Sequence, residues 1–480
     1  MMNSLLILNG RATGSMTGPV KNKIVRAIAS SAEYDGGNVW NANVQSGQAS
    51  NNNRNNAYVV RPAVALDKER VNGWMEAYAD CLKNKITSAE ATRYRLCEAD
   101  LVELMQECEQ RRYEPSRSVC FCVTRPKVRE IFAAAFRDRI VQHWICRRIE
   151  PLLEARFIRH GNVSWNCRKG RGTHAAVEAL RQDMEDVSDG YKKEAWVGRF
   201  DVAGFFMSID IRLLERMAVE MVERDYDGAD KELLLYLLRT TIRHRPQDNC
   251  ERRGDPRLWA RMGKGKSLFG VERCRGMPIG NITSQLLANL YMSYLDEYMV
   301  GLCRTMGARY ERFVDDFAIV AHTKHDLTEL RDKAEVYLRE RLHLRMHHDK
   351  QYMQEARKGV RFVGSVIKRG RVYICNRTVG ALYGKLAELN GAVKEIRRKG
   401  QYGVSDAWEL ERLESGVNSY LGMTKNRQAY NVRRRAMARC ESGMHDCFVI
   451  AADLGKIRLR REYRMEYQLK RKESDYEQCD

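Results

Sequence analysis

The feature that most constrains the fold is a pair of adjacent acids, Asp315 and Asp316, set between two apolar runs. The segment 308–321 reads ARYERFVDDFAIVA. This pattern predicts a strand, a tight turn and a second strand, with both carboxylates at the tip of an antiparallel hairpin. A further buried strand is predicted in AWVGRFDVAGFFMSID (195–210), where it ends in a turn at Asp201. The chain should therefore contain an antiparallel sheet with acids at its strand ends.

Three carboxylates on neighbouring strands suggest a particular chemistry. Adjacent buried acids repel one another unless a cation neutralises them. Asp201, Asp315 and Asp316 together could hold two Mg²⁺ ions roughly 3.5–4 Å apart, with Mn²⁺ as an alternative ion. Such a pair activates a 3′-hydroxyl and stabilises a leaving pyrophosphate, which is nucleotidyl transfer. The plainer interpretation is coincidence, since an Asp-Asp pair occurs by chance about once in a chain of this length.

Most of the remaining chain has helical periodicity. Apolar residues near a 3.6-residue period predict helices in 67–112, in REIFAAAFRDRIVQHWICRRIEPLLEARF (129–157) and in 282–300. The piece SVCFCVTRP (118–126) is strand-like. From 377 onward the chain reads as helical and basic, and the alternating charges of 456–480 favour a solvated helix.

The net charge indicates a polyanionic partner. The 480 residues carry a formal charge of +20 and have an isoelectric point near 9.4. Lys and Arg side chains near phosphates release condensed counterions, so nucleic acid is favoured over a merely basic protein. No stretch reaches the 18 apolar residues of a membrane helix, and the start is a poor signal peptide. The 14 cysteines are scattered, which predicts reduced thiols and a cytoplasmic location.

Further motifs surround the acids, and their order is more informative than any one of them. They are REIFAAAFRDRIVQH (129–143), WNCRKGRGTHAAV (165–177), RFDVAGFF (199–206), GMPIGNITSQ (276–285), RFVDDFAIV (312–320), Lys350 in HHDKQ, and RFVGSVI (361–367). In order and spacing the series resembles the fingers and palm motifs of the reverse transcriptase family, over roughly residues 115–425. The resemblance implies an RNA-directed DNA polymerase with an α+β, right-hand fold of fingers, palm (antiparallel sheet plus helices) and helical thumb.

The resemblance also implies roles for single residues. Asp201, Asp315 and Asp316 match the catalytic acids, and with Val202 they are the expected metal ligands. Phe206 matches the bulky residue that excludes a ribose 2′-hydroxyl by collision, although one of Phe205 and Phe206 should face the core. The expected nucleotide-binding residues are Arg168, Lys169, Arg171, Phe205, Phe206, Ile279, Gly280, Ser284, Gln285 and Lys350.

Each group in that set has a physical rationale. The Gly-punctuated basic loop at 168–171 could clamp a triphosphate, or it could be a solvated basic turn. Gly280 permits close backbone approach, and Lys350 could stabilise the leaving pyrophosphate. The expected partners are a template RNA, a primer or cDNA strand and dNTPs.

One departure from the family pattern is informative. Most reverse transcriptases have Gln-Gly-x-x-x-Ser-Pro in the motif where this chain has Ile279 before Gly280 and Gln285 after Ser284. This pattern, with KSLF (266–269), NSYLGM (418–423) and YNVRRR (430–435), resembles the reverse transcriptases of diversity-generating retroelements. That resemblance implies misincorporation opposite template adenines and a small, basic, ring-forming accessory protein. Loss of a polar contact near the nucleotide would lower fidelity where pairing is weakest.

The Asn-rich run NVWNANVQSGQASNNNRNNAYVVRP, within 35–62, has two interpretations. Its composition cannot bury much of a core and favours loop or disorder. Because Asn codons begin with two adenines, the run also resembles a translated template repeat of such an element. A linker of accidental composition is the alternative.

The predicted organisation has five parts. They are an Asn/Gly-rich segment expected to be disordered (1–66), N-terminal helices and fingers (67–200), a palm with a fingers insertion near 235–275 (201–375), a helical thumb (376–455) and a charged tail (456–480). Two other functions stay open at this point: a reverse transcriptase of antiphage defence, and a catalytically silent RNA-binding scaffold. The acids argue against the scaffold, and Phe206 argues against an RNA-dependent RNA polymerase.

Overall fold

A computed structural model describes residues 38–42, 49–53, 68–83, 98–124, 127–263, 265–425, 427–441 and 443–465. Within these ranges no helix is both long enough and apolar enough to cross a membrane.

The helices are numbered in chain order. They are α1 (Lys68–Leu82), α2 (Glu98–Glu109), α3 (Phe136–Arg159), α4 (Thr173–Val187), α5 (Phe205–Ser208), α6 (Ile211–Asp225), α7 (Lys231–Arg243), α8 (Arg257–Ala260), α9 (Ile282–Thr305), α10 (Lys324–Arg341), α11 (Asn376–Lys399), α12 (Val404–Lys425), α13 (Tyr430–Met437) and α14 (Met444–Cys447).

The strands are numbered in the same way. They are β1 (Asn38–Ala42), β2 (Ala49–Asn53), β3 (Ser118–Val123), β4 (Arg129–Ala133), β5 (Trp196–Asp201), β6 (Cys250–Arg253), β7 (Arg309–Phe313), β8 (Asp316–Ala321), β9 (Tyr352–Glu355), β10 (Val360–Phe362), β11 (Ser365–Lys368), β12 (Arg371–Ile374), β13 (Phe448–Ile450) and β14 (Ile457–Leu459). This mixture of helices and antiparallel sheets confirms the predicted α+β class.

The chain divides into two compact units, each built from several stretches. The first contains Met1–Asn162, Ala203–Tyr294 and Leu338–Leu344, and the second contains Val163–Val202, Leu295–Tyr337 and Arg345–Asp480. Because these units interleave along the sequence, they do not test the predicted domain boundaries, which stay a prediction.

The first unit combines helices with a three-stranded sheet of order β4-β3-β6. In it β3 and β4 are antiparallel, whereas β3 and β6 are parallel. Helix α1 packs on α3, with the rings of Trp74 and Trp144 stacked at 5.1 Å. The arginines on the polar face of α3 are largely held in ion pairs: Arg147 binds acids of α1 and Arg148 binds Asp230, each at 2.6 Å.

The second unit is organised around a four-stranded antiparallel sheet of order β7-β8-β5-β9. Helix α4 supplies Val177, Leu180 and Met184 to the core on one face of this sheet, and β10 and β11 add further apolar residues. A separate apolar core joins α11, α12, α13 and the β13–β14 pair.

Three features differ from the sequence expectations. The helix predicted over 129–157 begins only at Phe136, because Arg129–Ala133 pairs with β3 as a strand. The region expected to be helical from 377 onward contains the β13–β14 pair. Ile457 and Leu459, expected in a solvated helix, are buried strand residues because their side chains complete the apolar core on α12.

The N-terminal segment is described only in part. Asn38–Ala42 and Ala49–Asn53 pair as an antiparallel hairpin, with Asn41 opposite Ser50. The rest of the Asn-rich run lies outside the described residues, so the disorder expected for 1–66 stays a prediction.

Candidate active site

The centre of the second unit's sheet brings the predicted acids together. Strand β5 lies between β8 and β9, and in its register with β8 Asp201 is directly opposite Asp316. Residues directly opposite in an antiparallel pair have Cβ atoms about 4.5–5.5 Å apart. Asp315 occupies the turn that precedes Asp316. The hairpin predicted from the sequence is therefore confirmed, and it places three carboxylates at one end of the sheet.

The hairpin turn is strained at Val314. Phe313 pairs with Asp316, so Val314 and Asp315 form a two-residue turn. Val314 has φ = +62°, a left-handed conformation that β-branched residues rarely adopt. Glycine is the ordinary residue at the first position of such a turn. Strain of this kind persists only where neighbouring groups hold it, and it is frequent at functional sites.

A buried arginine holds the hairpin. Arg312 is fully buried and forms an ion pair with Asp296 of α9 at 2.6 Å. The same guanidinium donates to the carbonyl oxygen of Val314 and to the hydroxyl of Ser164, both at 2.9 Å. Tyr310 also donates its hydroxyl to Asp296, at 3.0 Å. Arg312 therefore ties the strained turn directly to the helix behind the sheet.

Two basic side chains neutralise the acids. Arg199 donates to both oxygens of Asp316, at 2.7 and 2.8 Å, and Lys350 pairs with Asp201. Burial raises the pKa of Asp316 above its ordinary value; Arg199 opposes the rise and Asp201 adds to it. Without cations, the two facing carboxylates would repel one another.

The donor atoms at this end of the sheet suit a divalent cation. Carboxylate oxygens are the hard ligands that Mg²⁺ and related ions prefer. Among the described residues no group of three or more His, Cys, Asp or Glu is arranged to hold a metal ion. Arg199 and Lys350 bind the oxygens of Asp316 and Asp201. An ion that bound here would take over their neutralising role.

Val202 continues β5 past Asp201 and forms an isolated bridge to Met346. The amide of His347 donates to the carbonyl of Asp201 at 2.7 Å, which places the short turn His348–Lys350 beside the acids. The assignment of Asp201, Val202, Asp315 and Asp316 as metal ligands, and of Lys350 as a pyrophosphate contact, stays a prediction.

The basic loop at 168–171 contains one buried and two exposed cations. Arg168 is buried and donates to the carbonyl of Ser164 at 2.5 Å. Lys169 and Arg171 are exposed, and Arg171 lies 5.1 Å from the centre of the Trp165 ring. The loop leads directly into the N-terminus of α4, where backbone N–H groups favour anions. Lys169 and Arg171 are therefore the solvent-exposed cations of this loop, and their contact with a triphosphate stays a prediction.

Phe205 and Phe206 belong to the first unit. Phe205 is buried, which confirms that one of the pair faces the core. Phe206 is partly buried and packs against a small cluster that includes Phe132, Met207 and Leu268. The predicted gate is thus the more accessible of the two rings.

The motif at 276–285 is joined to β4 within the same unit. The amide of Phe132 donates to the carbonyl of Ile279 at 2.8 Å. A Cβ built on Gly280 would lie 2.4 Å from the carbonyl oxygen of Phe132. The close approach that requires glycine here is therefore to β4. Ser284 is buried and Gln285 is exposed.

Sequence reasoning missed three residues that organise these sites: Arg199, Asp296 and Glu130. Arg199 could have been found, because it lies two residues before Asp201 and so on the same strand face. Asp296 is a lone acid in an apolar helix, which is a weaker signal. Glu130 was hidden by the mistaken helix assignment.

A carboxylate site at the end of an antiparallel sheet is the kind of centre that metal-dependent polymerases, nucleases and phosphatases use. Comparison with known proteins narrows this class. Residues 124–367, half of the chain, match the family described as reverse transcriptase (RNA-dependent DNA polymerase). The chain therefore belongs to the reverse transcriptase family, and the predicted enzyme class is confirmed at that level. Members of this family copy RNA templates and use divalent metal ions.

Among curated proteins the chain is similar to Protein YkfC of Escherichia coli (strain K12), with 25% identity over 289 residues, covering 54% of this chain and 68% of that protein. Similar solved structures include apo telomerase from Candida Tropicalis, with 12% identity, 68% of this chain covered and a TM-score of 0.43. A C-terminally truncated form of that enzyme gives 13% identity, 54% coverage of this chain and a TM-score of 0.40. The chain spans 58% and 55% of those two telomerase chains.

Proposed function

We propose that this protein is the error-prone reverse transcriptase of a diversity-generating retroelement. It would make adenine-mutagenised cDNA from a template-repeat RNA. The observation that carries the polymerase part is the pairing of Asp201 with Asp316 across β5 and β8, with Asp315 at the adjoining turn. In this proposal Asp201, Val202, Asp315 and Asp316 hold two Mg²⁺ ions, which activate the primer 3′-hydroxyl.

The remaining predicted residues take roles around the nucleotide. Lys169 and Arg171 would bind the triphosphate, with buried Arg168 holding their loop. Lys350 would release Asp201 to the metal and contact the pyrophosphate. Phe206 would exclude ribonucleotides, while Phe205 anchors the turn from the core.

The retroelement part rests on the motif around Ile279. A glutamine at this position could offer a polar contact near the nucleotide, whereas Ile279 packs against an apolar cluster. Removal of such a contact weakens positional control by a few kcal/mol at most. A small basic accessory protein that forms a ring is part of the same proposal.

The test is a sequenced reaction. The purified protein is incubated with the RNA that flanks its gene, dNTPs and Mg²⁺, and the cDNA is sequenced. We expect substitutions concentrated at template adenines, and Ile279→Gln should reduce them. Faithful cDNA from the native protein would contradict the mutagenic role and favour a defence enzyme. Absence of any cDNA, with RNA still bound, would favour a scaffold.

A further inference from the structure

The surroundings of Phe206 contain a buried support to which the sequence motifs gave no role. The ring packs on a cluster of Cys120, Phe132, Met207 and Leu268. Its backbone carbonyl accepts a hydrogen bond from Met277 at 2.7 Å. Phe206 is therefore held at its backbone, and its ring contacts both this cluster and, edge-to-face at 5.4 Å, the Phe205 ring.

Leu268 is the member of this cluster that lies in the segment after Trp259. It is almost fully buried and begins a short 3₁₀ turn, Leu268–Gly270. It also lies tightly against Gly276: a Cβ built there would be 2.7 Å from the Leu268 Cδ1 atom. Gly276 is the residue before Met277, so Leu268 contacts the same segment that binds the backbone of Phe206.

A buried carboxylate sets the position of Leu268. Glu130 on β4 is almost fully buried. It accepts hydrogen bonds from the Leu268 amide at 2.9 Å, the Ser267 hydroxyl at 2.8 Å and the Trp259 indole N–H at 2.9 Å. Three donors compensate the burial of this acid, and such charge-assisted bonds are among the stronger ones in proteins. Because β4 is part of the sheet, the turn is tied to a rigid element.

We propose that Leu268, held by Glu130, is a specificity-determining residue for the sugar of the incoming nucleotide. As a member of the buried cluster on which the Phe206 ring packs, Leu268 would keep the ring from retreating from a ribose 2′-hydroxyl. This inference rests on the proposed function, in which Phe206 excludes ribonucleotides. Glu130 acts through Leu268 and is a positioning residue.

The physical basis is the response of a core to lost volume. Truncation of a buried leucine leaves a cavity that neighbouring side chains fill only in part. A ring next to that cavity gains room to move. A site that rejects a hydroxyl by collision depends on the ring staying in place, so discrimination should weaken while deoxynucleotide use changes little.

The experiment measures kcat and KM for single dNTP and rNTP additions to a primer on an RNA template. For Leu268→Ala we expect the preference for dNTP over rNTP to fall at least fivefold, mainly through a lower KM for rNTP. Trp259→Phe, which removes one donor to Glu130 and part of a ring that packs on the same cluster, should give a smaller fall in the same direction. Leu234→Ala is the matched control, because Leu234 is equally buried in α7 of the same unit but outside this cluster.

Phe206→Ala distinguishes the claim that Phe206 excludes ribonucleotides from the claim that Leu268 supports its ring. If Phe206→Ala relaxes selectivity and neither Leu268→Ala nor Trp259→Phe does, the inference is wrong and the gate stands. If Leu234→Ala relaxes selectivity as much as Leu268→Ala, general loosening explains the effect and the inference is also wrong. Unchanged selectivity in Phe206→Ala overturns the gate together with its support.

Discussion

Asp315 differs from its two acidic neighbours in position. Asp201 and Asp316 lie on strands opposite one another, whereas Asp315 lies in the turn after the strained Val314. Under the proposed function, this turn carboxylate contributes to the cation site. Asp315 is therefore the acid whose substitution tests the proposed metal site most directly.

Asp315→Asn should lower cDNA synthesis roughly a hundredfold or more, because a neutral amide oxygen is a poorer ligand for a divalent ion. RNA affinity should change less than about twofold, since the acid does not contribute to phosphate binding. Primer extension and fluorescence anisotropy measure the two quantities. Asp189→Asn, at an exposed position with φ = +50° that asparagine tolerates, is the control. Retained synthesis in Asp315→Asn would refute the metal-site assignment.

Gly280 allows the backbone to approach Phe132 of β4 more closely than any residue with a Cβ atom could. Gly280→Ala should destabilise the protein by roughly 1–3 kcal/mol, because the added methyl meets the Phe132 carbonyl and the backbone has φ = +131°. Urea unfolding measures this change. Gly301→Ala, in α9 with nothing within 4 Å of the new Cβ, should instead stabilise by about 0.5–1 kcal/mol. Equal effects at the two sites would show that the contact with β4 is unimportant.

At the scale of elements, the β7–β8 hairpin is held by Arg312 and Asp296. Asp296→Asn should reduce the free energy of unfolding by roughly 3–5 kcal/mol, because it leaves the Arg312 charge buried without a full counter-charge. Chemical denaturation monitored by circular dichroism measures it. Glu329→Gln breaks the exposed pair with Lys333 and should change stability by less than about 1 kcal/mol. Similar values for the two variants would contradict the role given to the buried pair.

The packing of α4 on β7 creates a pH-sensitive contact. Burial raises the pKa of Asp183 to about 7 and that of its neighbour Glu311 well above its ordinary value. The folded state therefore keeps protons that the unfolded chain has released, so this contact stabilises at low pH and loses its contribution as pH rises through 7. Between pH 5 and 8 we expect a loss on the order of 2–4 kcal/mol.

The double variant Asp183→Asn with Glu311→Gln removes both titrating groups and keeps their shape. The difference in unfolding free energy between native protein and variant should move in favour of the variant as pH rises from 5 to 8. Denaturant titrations at several pH values measure it. If the difference did not change with pH, the pKa values of Asp183 and Glu311 would not be raised in the folded protein, and the prediction would be wrong.

For the whole molecule, the net charge of +20 predicts strongly salt-dependent RNA binding. Many arginines are in ion pairs, including Arg147 and Arg148 of α3, but the net charge already subtracts the acids that pair with them. Even three phosphate contacts would lower affinity roughly 20- to 40-fold between 50 and 200 mM salt. Anisotropy titrations with RNAs of unrelated sequence measure the slope, and equal ionic strength from different salts is the control. A flat response would exclude a phosphate-dominated interface.

Local patterns determined much of this protein. The apolar runs on both sides of Asp315 and Asp316 were sufficient to predict the hairpin, and other apolar runs were sufficient to predict β5 and α9. Each of these patterns lies within the element that it predicts. The order of the motifs along the chain was sufficient to predict membership of the reverse transcriptase family. The start of α3 and the strand at Ile457 were mispredicted, because pairing with β3 and with β13 overrides the local helical preference.

Only the tertiary structure decided which residues meet. The register of β5 with β8 puts Asp201 opposite Asp316, and the folding of β4 against the chain after Trp259 buries Glu130 beneath Leu268. Neither contact joins residues close in sequence, so no periodicity records it. The acids by themselves suggested a cation site. Their ion pairs with Arg199 and Lys350, and the packing of the cluster next to Phe206, depend on long-range contacts that only the folded chain establishes.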